Sequence, residues 1–175
     1  MSTQSIKPEK VFAAACGLFC PGCSLYIGTH EDPARMEHMA KRFGLPVEEM
    51  YCDGCRAERR GPYCKQCKMI ACTKEKGIEF CSECDEYPCA ELREFQAAMP
   101  HRINLWDDLA RIKQIGYEAW FQEKLDYYAC PECGILNSAY DLKCRQCGCK
   151  PSNEYVKAHR DQVVEFVGRY MESDK

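Results

Sequence analysis

Residues 130–148 read CPECGILNSAYDLKCRQCG. Two C-x-x-C pairs, Cys130/Cys133 and Cys144/Cys147, stand ten residues apart in this stretch. Two residues between thiolates let both sulfurs of a tight knuckle point at one tetrahedral centre. Glycine follows the second cysteine of each pair, at Gly134 and Gly148. A knuckle turns there with positive φ, which glycine takes without steric cost. Pro131 fixes the first turn. Four thiolates without a histidine suit zinc in a closed site, which leaves no position for a substrate. Iron in a rubredoxin-like arrangement is the rival, because spacing does not separate the two metals. Cys149 is a fifth cysteine beside a full site, read as a spare thiol or as an alternative ligand.

Eleven more cysteines lie between Cys16 and Cys89, and the chain carries 16 in 175 residues. Setting cysteine aside leaves roughly 37% apolar residues, a thin supply for a core when soluble domains average roughly 45–50% with cysteine and glycine counted. A structural zinc contributes on the order of 10–16 kcal/mol in small peptides, enough to offset that shortage. The start, MSTQSIKPEKV, has no apolar run long enough for a signal peptide, and no stretch approaches a membrane span. A cytoplasmic, reducing setting is expected, in which cysteines at this density are metal ligands rather than disulfides. The net charge of −3 does not favour wholesale nucleic-acid binding.

The eleven do not divide by four. Four pairs stand out: Cys20/Cys23, Cys52/Cys55, Cys64/Cys67 and Cys81/Cys84. The simplest grouping joins the first with the second and the third with the fourth, leaving Cys16, Cys72 and Cys89 unassigned. In a rival grouping Cys72 and Cys89 serve one zinc and free another pair. Cys16-x3-Cys20-x2-Cys23 also has the spacing by which radical-SAM enzymes hold an iron–sulfur cluster with one iron open. No strand–helix alternation follows Cys23, as their large parallel barrel would require. A three-cysteine zinc site completed by His30 or His38 is a further option; both also read as solvated helix-flank residues.

Residues 1–10 are polar and expected to fray. Val11 to Ala15 is a short apolar run, a strand or a buried turn. Pro33 to Phe43 is predicted helical, with Asp32 as N-cap, Pro33 at the first position, Gly44 as stop, and Met36, Met39, Ala40 and Phe43 on one face. Residues 51–89 are expected as loops and knuckles with at most a short helix near Ile70–Lys76. Further helices are expected over Cys89 to Met99, with Leu92 and Phe95 inward, and over Leu105 to Ile115. Gly116 breaks or caps the latter, and a helix carrying Tyr117, Trp120, Phe121 and Tyr128 runs into the Cys130 knuckle. One last amphipathic helix is expected over Glu154 to Met171, with Val156, Val163, Phe166, Val167 and Tyr170 inward.

The runs CGLFCPGCSLY, CDGC and YCKQCKMIACTKEKGIEFCSECDEYPC resemble a family of cysteine-rich bacterial and archaeal proteins classed as a domain of unknown function. The resemblance covers Cys16 to about Phe95. The tail HRINLWDDLARIKQIGYEAWFQEKLDYYACPECG, with its second CxxCG, looks like the helix-plus-ribbon extension of some members. The resemblance implies metal binding, zinc foremost, through Cys16, Cys20, Cys23, Cys52, Cys55, Cys64, Cys67, Cys72, Cys81, Cys84 and Cys89. It implies no reaction.

The expected fold is small, metal-stabilised, α plus irregular: a cysteine-rich zinc-knuckle domain over 1–100, a helical connector over 101–128, a zinc ribbon over 129–151 and a C-terminal helix over 152–175. About three zinc ions are expected. The leading reading is a structural or adaptor module that contacts a protein partner. Ser24, Thr29 and Ser82 have no neighbouring histidine that would make a triad. The second reading is an iron–sulfur or open-site zinc enzyme centred on Cys16, Cys20 and Cys23. The third is nucleic-acid binding through Arg56, Arg59, Arg60, Lys65 and Lys68 with Tyr63 to stack, opposed by Glu58, Glu75, Glu79, Glu83, Asp85 and Glu86 in the same segment.

Overall fold

The computed structural model describes residues 6–172, with the side chains of 170–172 outside the description. Helices carry the architecture: α1 (Ser24–His30), α2 (Pro33–Phe43), α3 (Val47–Met50), α4 (Pro62–Lys65), α5 (Lys68–Lys76), α6 (Ala90–Ala97), α7 (Leu105–Ile115), α8 (Tyr117–Tyr128), α9 (Glu154–Ala158) and α10 (Arg160–Glu172). Among the described residues there is no sheet, only isolated bridges between Ala13 and Phe19 and between Ala129 and Leu136. The segment 129–151 is therefore two knuckles on a loop, without a paired hairpin. No helix is long and apolar enough to cross a membrane, among the residues described.

Local chemistry sets several boundaries. Asp32 caps α2 by accepting from Arg35 N at 3.1 Å, and Gly44 ends it in the left-handed region at φ 64°. Both match the sequence reading, as does the buried pair Met36 and Ala40. Val11 to Ala15 resolves into a 3-10 turn over Lys10–Phe12 and the bridge at Ala13. Of the fraying expected over 1–10, residues 1–5 lie outside the described residues. Helix α6 is shorter than expected at both ends, with Leu92 buried and Phe95 partly so.

One expectation fails. The stretch 154–171 is not a single helix: α9 ends at His159, where ψ swings to 28°, and α10 begins at Arg160. Asn153 caps α9 by accepting from Val156 N at 2.8 Å. Val156 and Val163 are buried as expected, and Phe166 and Val167 partly so; Tyr170 lies beyond the described side chains.

The core is aromatic. Trp120 and Phe121 of α8 are almost wholly buried, and Phe12, Phe19, Tyr128 and Tyr155 stack or meet edge-on around them. Burying each such side chain stabilises by roughly 1.5–3 kcal/mol, and the ring pairs add roughly 0.5–1.5 kcal/mol each. The cluster runs from Phe12 through Leu92 and Leu109 to Leu136 and Val163, so both cysteine-rich segments pack on one α7–α8 hairpin. A buried polar knot sits inside it: Asp108 accepts from Trp120 Nε1 at 3.1 Å and pairs with Lys124. Burial raises the Asp108 carboxyl, and the Lys124 ammonium opposes that.

Two ion pairs hold the 129–151 segment against the N-terminal helices. Arg145 pairs with Glu31, just past α1, and Arg35 of α2 with Asp141 at 2.9 Å. These side chains retain between 10% and 16% exposure, so neither pair is a solvated surface contact.

Candidate metal centre

Helix α8 ends at Tyr128, and the chain turns at once into the first knuckle. The amide of Gly134 closes that turn on Cys130 O at 2.9 Å, and Gly148 repeats the bond to Cys144 O at 3.0 Å. Gly134 and Gly148 have φ 72° and 76°, the positive values their sequence positions required. The two turns bring Cys130, Cys133, Cys144 and Cys147 together, with all four sulfurs within 4.8 Å of one another. This is the one group of three or more potential metal ligands at that spacing among the described residues. Cys130 and Cys144 are buried; Cys133 and Cys147 face solvent.

Crowded thiols share protons unevenly. Burial opposes ionisation of Cys144, but the amides of Cys147 and Gln146 and the neighbouring thiols bring it down to about 6. Cys133 is held up at about 12: the amide of Ile135 favours its thiolate, but burial and the other sulfurs outweigh it. Four sulfurs this close cannot all ionise unless a cation sits among them. The donor set fits a soft or borderline divalent ion: all sulfur, no carboxylate, and backbone amides aimed at the buried pair.

Asn137 organises the loop between the knuckles, and the sequence reading missed it. It is fully buried; its Nδ2 donates to Ile135 O at 3.0 Å and Ser152 O at 3.3 Å and lies 3.6 Å from Cys144 Sγ. Its Oδ1 accepts from Arg145 N at 2.9 Å. Such outer contacts orient ligands before the ion arrives. An asparagine midway between two knuckles was the available signal. Cys149 stands beside the group of four, with its sulfur 3.3 Å from that of Cys130.

Among the eleven N-terminal cysteines, three C-x-x-C pairs close the same kind of turn: Cys23 N donates to Cys20 O at 2.9 Å, Cys67 N to Cys64 O at 3.4 Å and Cys84 N to Cys81 O at 3.2 Å. Cys64 belongs to α4 and Cys67 is the extended N-cap of α5, and the 3.4 Å bond closes the turn between them. The thiols of Cys20 and Cys55 influence one another's ionisation, and so do those of Cys64 with Cys52 and Cys55.

Burial raises the Cys16 thiol to about 12. Gly54, inside the Cys52/Cys55 turn, has φ 138°, and a Cβ there would sit 2.7 Å from Val11 O. Of the two candidate histidines, His30 meets Tyr26 at a tilt of 41° with ring centroids 4.4 Å apart and lies 3.3 Å from Asp53 Oδ1, while His38 is exposed. The basic run is largely engaged: Arg59 forks onto Asp53 at 2.7 and 2.8 Å, Arg56 donates to Ala13 O and Glu79 O, and Lys68 pairs with Glu91 at 2.9 Å. Tyr63 remains 64% exposed, with its ring edge-on to Phe43. Thr29 accepts from the amide of Cys52 at 2.9 Å.

Fold and site together define a mostly helical, cysteine-rich protein with a four-thiol cluster able to hold a metal ion. Its segment 12–94 matches the model of the family described as "Protein of unknown function (DUF3795)", which is the family resemblance read from the cysteine runs. No curated protein and no solved structure matches the chain.

Proposed function

We propose that the protein is a zinc-stabilised interaction module that works in the reducing cytoplasm, with about three ions per chain. The observation that carries this reading is the convergence of Cys130, Cys133, Cys144 and Cys147 within 4.8 Å, with backbone amides already directed at the buried pair. Four sulfurs fill a tetrahedral ion, so the ion's work is to clamp the two knuckles as a zinc ribbon does. The clamp holds a loop that has no sheet of its own and that docks on α1 and α2 through Arg145 and Arg35. The partner is a protein that contacts the surface so organised.

Elemental analysis with a visible spectrum tests the metal. Zinc without colour is expected, and Cys130→Ala should cost one ion. Chelation should unfold the 129–151 segment and lower the melting temperature of the chain. Iron with sulfide, or a metal-free chain that melts at the same temperature, would overturn the reading.

A further inference from the structure

A groove of about 300 Å³ opens where the second knuckle meets the last two helices. Its floor is aliphatic: Leu142 from the loop between the knuckles, Pro151 just past Cys149, Val156 of α9 and Val164 of α10. Val156 is buried and Leu142 and Pro151 are half-buried, but Val164 is 40% exposed. One exposed valine on a helix is ordinary. This one lines a concave surface with three other aliphatic side chains, and among the described residues Tyr63 is the only other large hydrophobic so exposed.

The rim carries one sign of charge. Lys150, Lys157 and Arg160 line the groove, all of them exposed, and no carboxylate does, in a chain whose net charge is −3. Neighbouring acids are engaged elsewhere or on one lysine only. Glu154 holds Lys157 at 3.0 Å, Glu165 holds Arg169 at 3.2 Å and Asp141 holds Arg35 at 2.9 Å. Asp161 follows Arg160 in the first turn of α10 without lining the groove. Lys150 and Arg160 pair with no carboxylate among the described residues. The complement of such a surface is a short segment that brings an aliphatic side chain flanked by carboxylates. No aromatic ring lines the groove, so nucleic-acid bases would have nothing to stack on. The polar side chains all stand on the rim, and none on the floor would orient a small molecule.

The knuckle shapes this surface. Leu142 precedes Cys144 and Lys150 follows Cys149, and the bond from Cys144 N to Cys149 O at 2.9 Å closes the stretch between them. We propose that the groove is a docking site for a short acidic segment of a protein partner. An aliphatic side chain of the partner enters between Val156 and Val164, and its carboxylates meet Lys150 and Arg160. The inference rests on the proposed function in taking the partner to be a protein. The contact is small, so binding is weak and its salt dependence follows the rim charges.

The probe is a fluorescein-labelled, C-terminally amidated peptide, Glu-Asp-Leu-Leu-Asp-Glu, titrated with the full-length chain as purified. Anisotropy should rise to saturation at low salt, and affinity should fall as salt is added. Val164→Glu should weaken binding about 10-fold. Lys150→Glu/Arg160→Glu should weaken it about 10-fold as well and transfer the preference to Lys-Lys-Leu-Leu-Lys-Lys. All three positions are exposed, so both variants should melt with the wild type. No saturable binding by the zinc-loaded chain, or binding that both variants keep, overturns the proposal. Tighter binding of a single-stranded oligonucleotide would give the groove to nucleic acid, and dimerisation abolished by Val164→Glu would give it to a second copy of the chain; either overturns it too. Zinc content of the same samples separates this proposal from the metal reading. A zinc-loaded chain that ignores the peptide refutes the groove alone, and a zinc-free chain that still binds it supports the groove while refuting the clamp.

Discussion

The sulfur of Cys149 lies 3.3 Å from that of Cys130, nearer than the 3.6 Å between Cys130 and Cys147 or between Cys133 and Cys144. The bond from Cys144 N to Cys149 O, 2.9 Å, fixes this fifth thiol to the second knuckle. Cys147 is the exposed member of its pair and shares Cys130 as a neighbour. Cys149 is therefore placed to replace it. Cys147→Ser should keep its zinc with weakened affinity, whereas Cys147→Ser/Cys149→Ser should lose it. A competition titration against a chelator measures both. Equal affinities for the single and double variants would show that Cys149 takes no part.

Asn137 joins the two knuckles without touching an ion. Removing its side chain strands the amide of Arg145 and the carbonyl of Ser152 in a buried loop, whereas Ile135 O keeps the amide of Cys130 at 2.8 Å. Each stranded group costs about 1–3 kcal/mol. Asn137→Ala should thus destabilise the metal-loaded protein by about 3 kcal/mol in denaturant unfolding and weaken zinc binding about 10–100-fold. An effect on zinc affinity without loss of stability would contradict this placement.

The pair of Arg145 and Glu31 fastens the metal-bearing segment to the end of α1. Arg145 also donates from Nε to Leu136 O at 2.9 Å, so its guanidinium is held in place. Removing one partner leaves a buried charge. Glu31→Ala should cost about 3–5 kcal/mol, and adding Arg145→Met should restore part of that loss. Additive losses in this double-mutant cycle would mean that the pair is not coupled.

What could be read from the sequence followed the range of each interaction. The C-terminal centre was legible because both knuckles are local and glycine stands where φ must be positive, at Gly134 and Gly148. Helix α2 was legible for the same reason, since Asp32, Pro33 and Gly44 mark its ends in the chain itself. The grouping of the eleven was not, because it depends on approaches between segments far apart in the chain, such as the bond from Cys81 N to Ala15 O at 2.8 Å. The division of 154–171 at His159 was equally hidden, because the apolar spacing continues across it. Arg145 acts through its pairing with Glu31, far along the chain, which no local pattern records.

His101 carries the last prediction. Burial, then the charge of Arg102, lower its imidazole from an ordinary 6.5 to about 3. Arg102 Nε donates to His101 Nε2 at 3.3 Å, which leaves the ring proton on Nδ1, 2.5 Å from the Tyr140 hydroxyl. The folded protein therefore holds this ring neutral where the unfolded chain would protonate it. The sign follows: the stabilisation is complete above about pH 6.5 and is lost as pH falls from there toward 3, at up to about 1.4 kcal/mol per pH unit. Acid also protonates the thiolates and releases metal, but His101→Gln shares that loss. The difference between the two unfolding free energies isolates the histidine and should narrow steadily from pH 6.5 to 4, as the wild type loses its advantage. Parallel pH profiles would show that His101 is not held neutral by its surroundings.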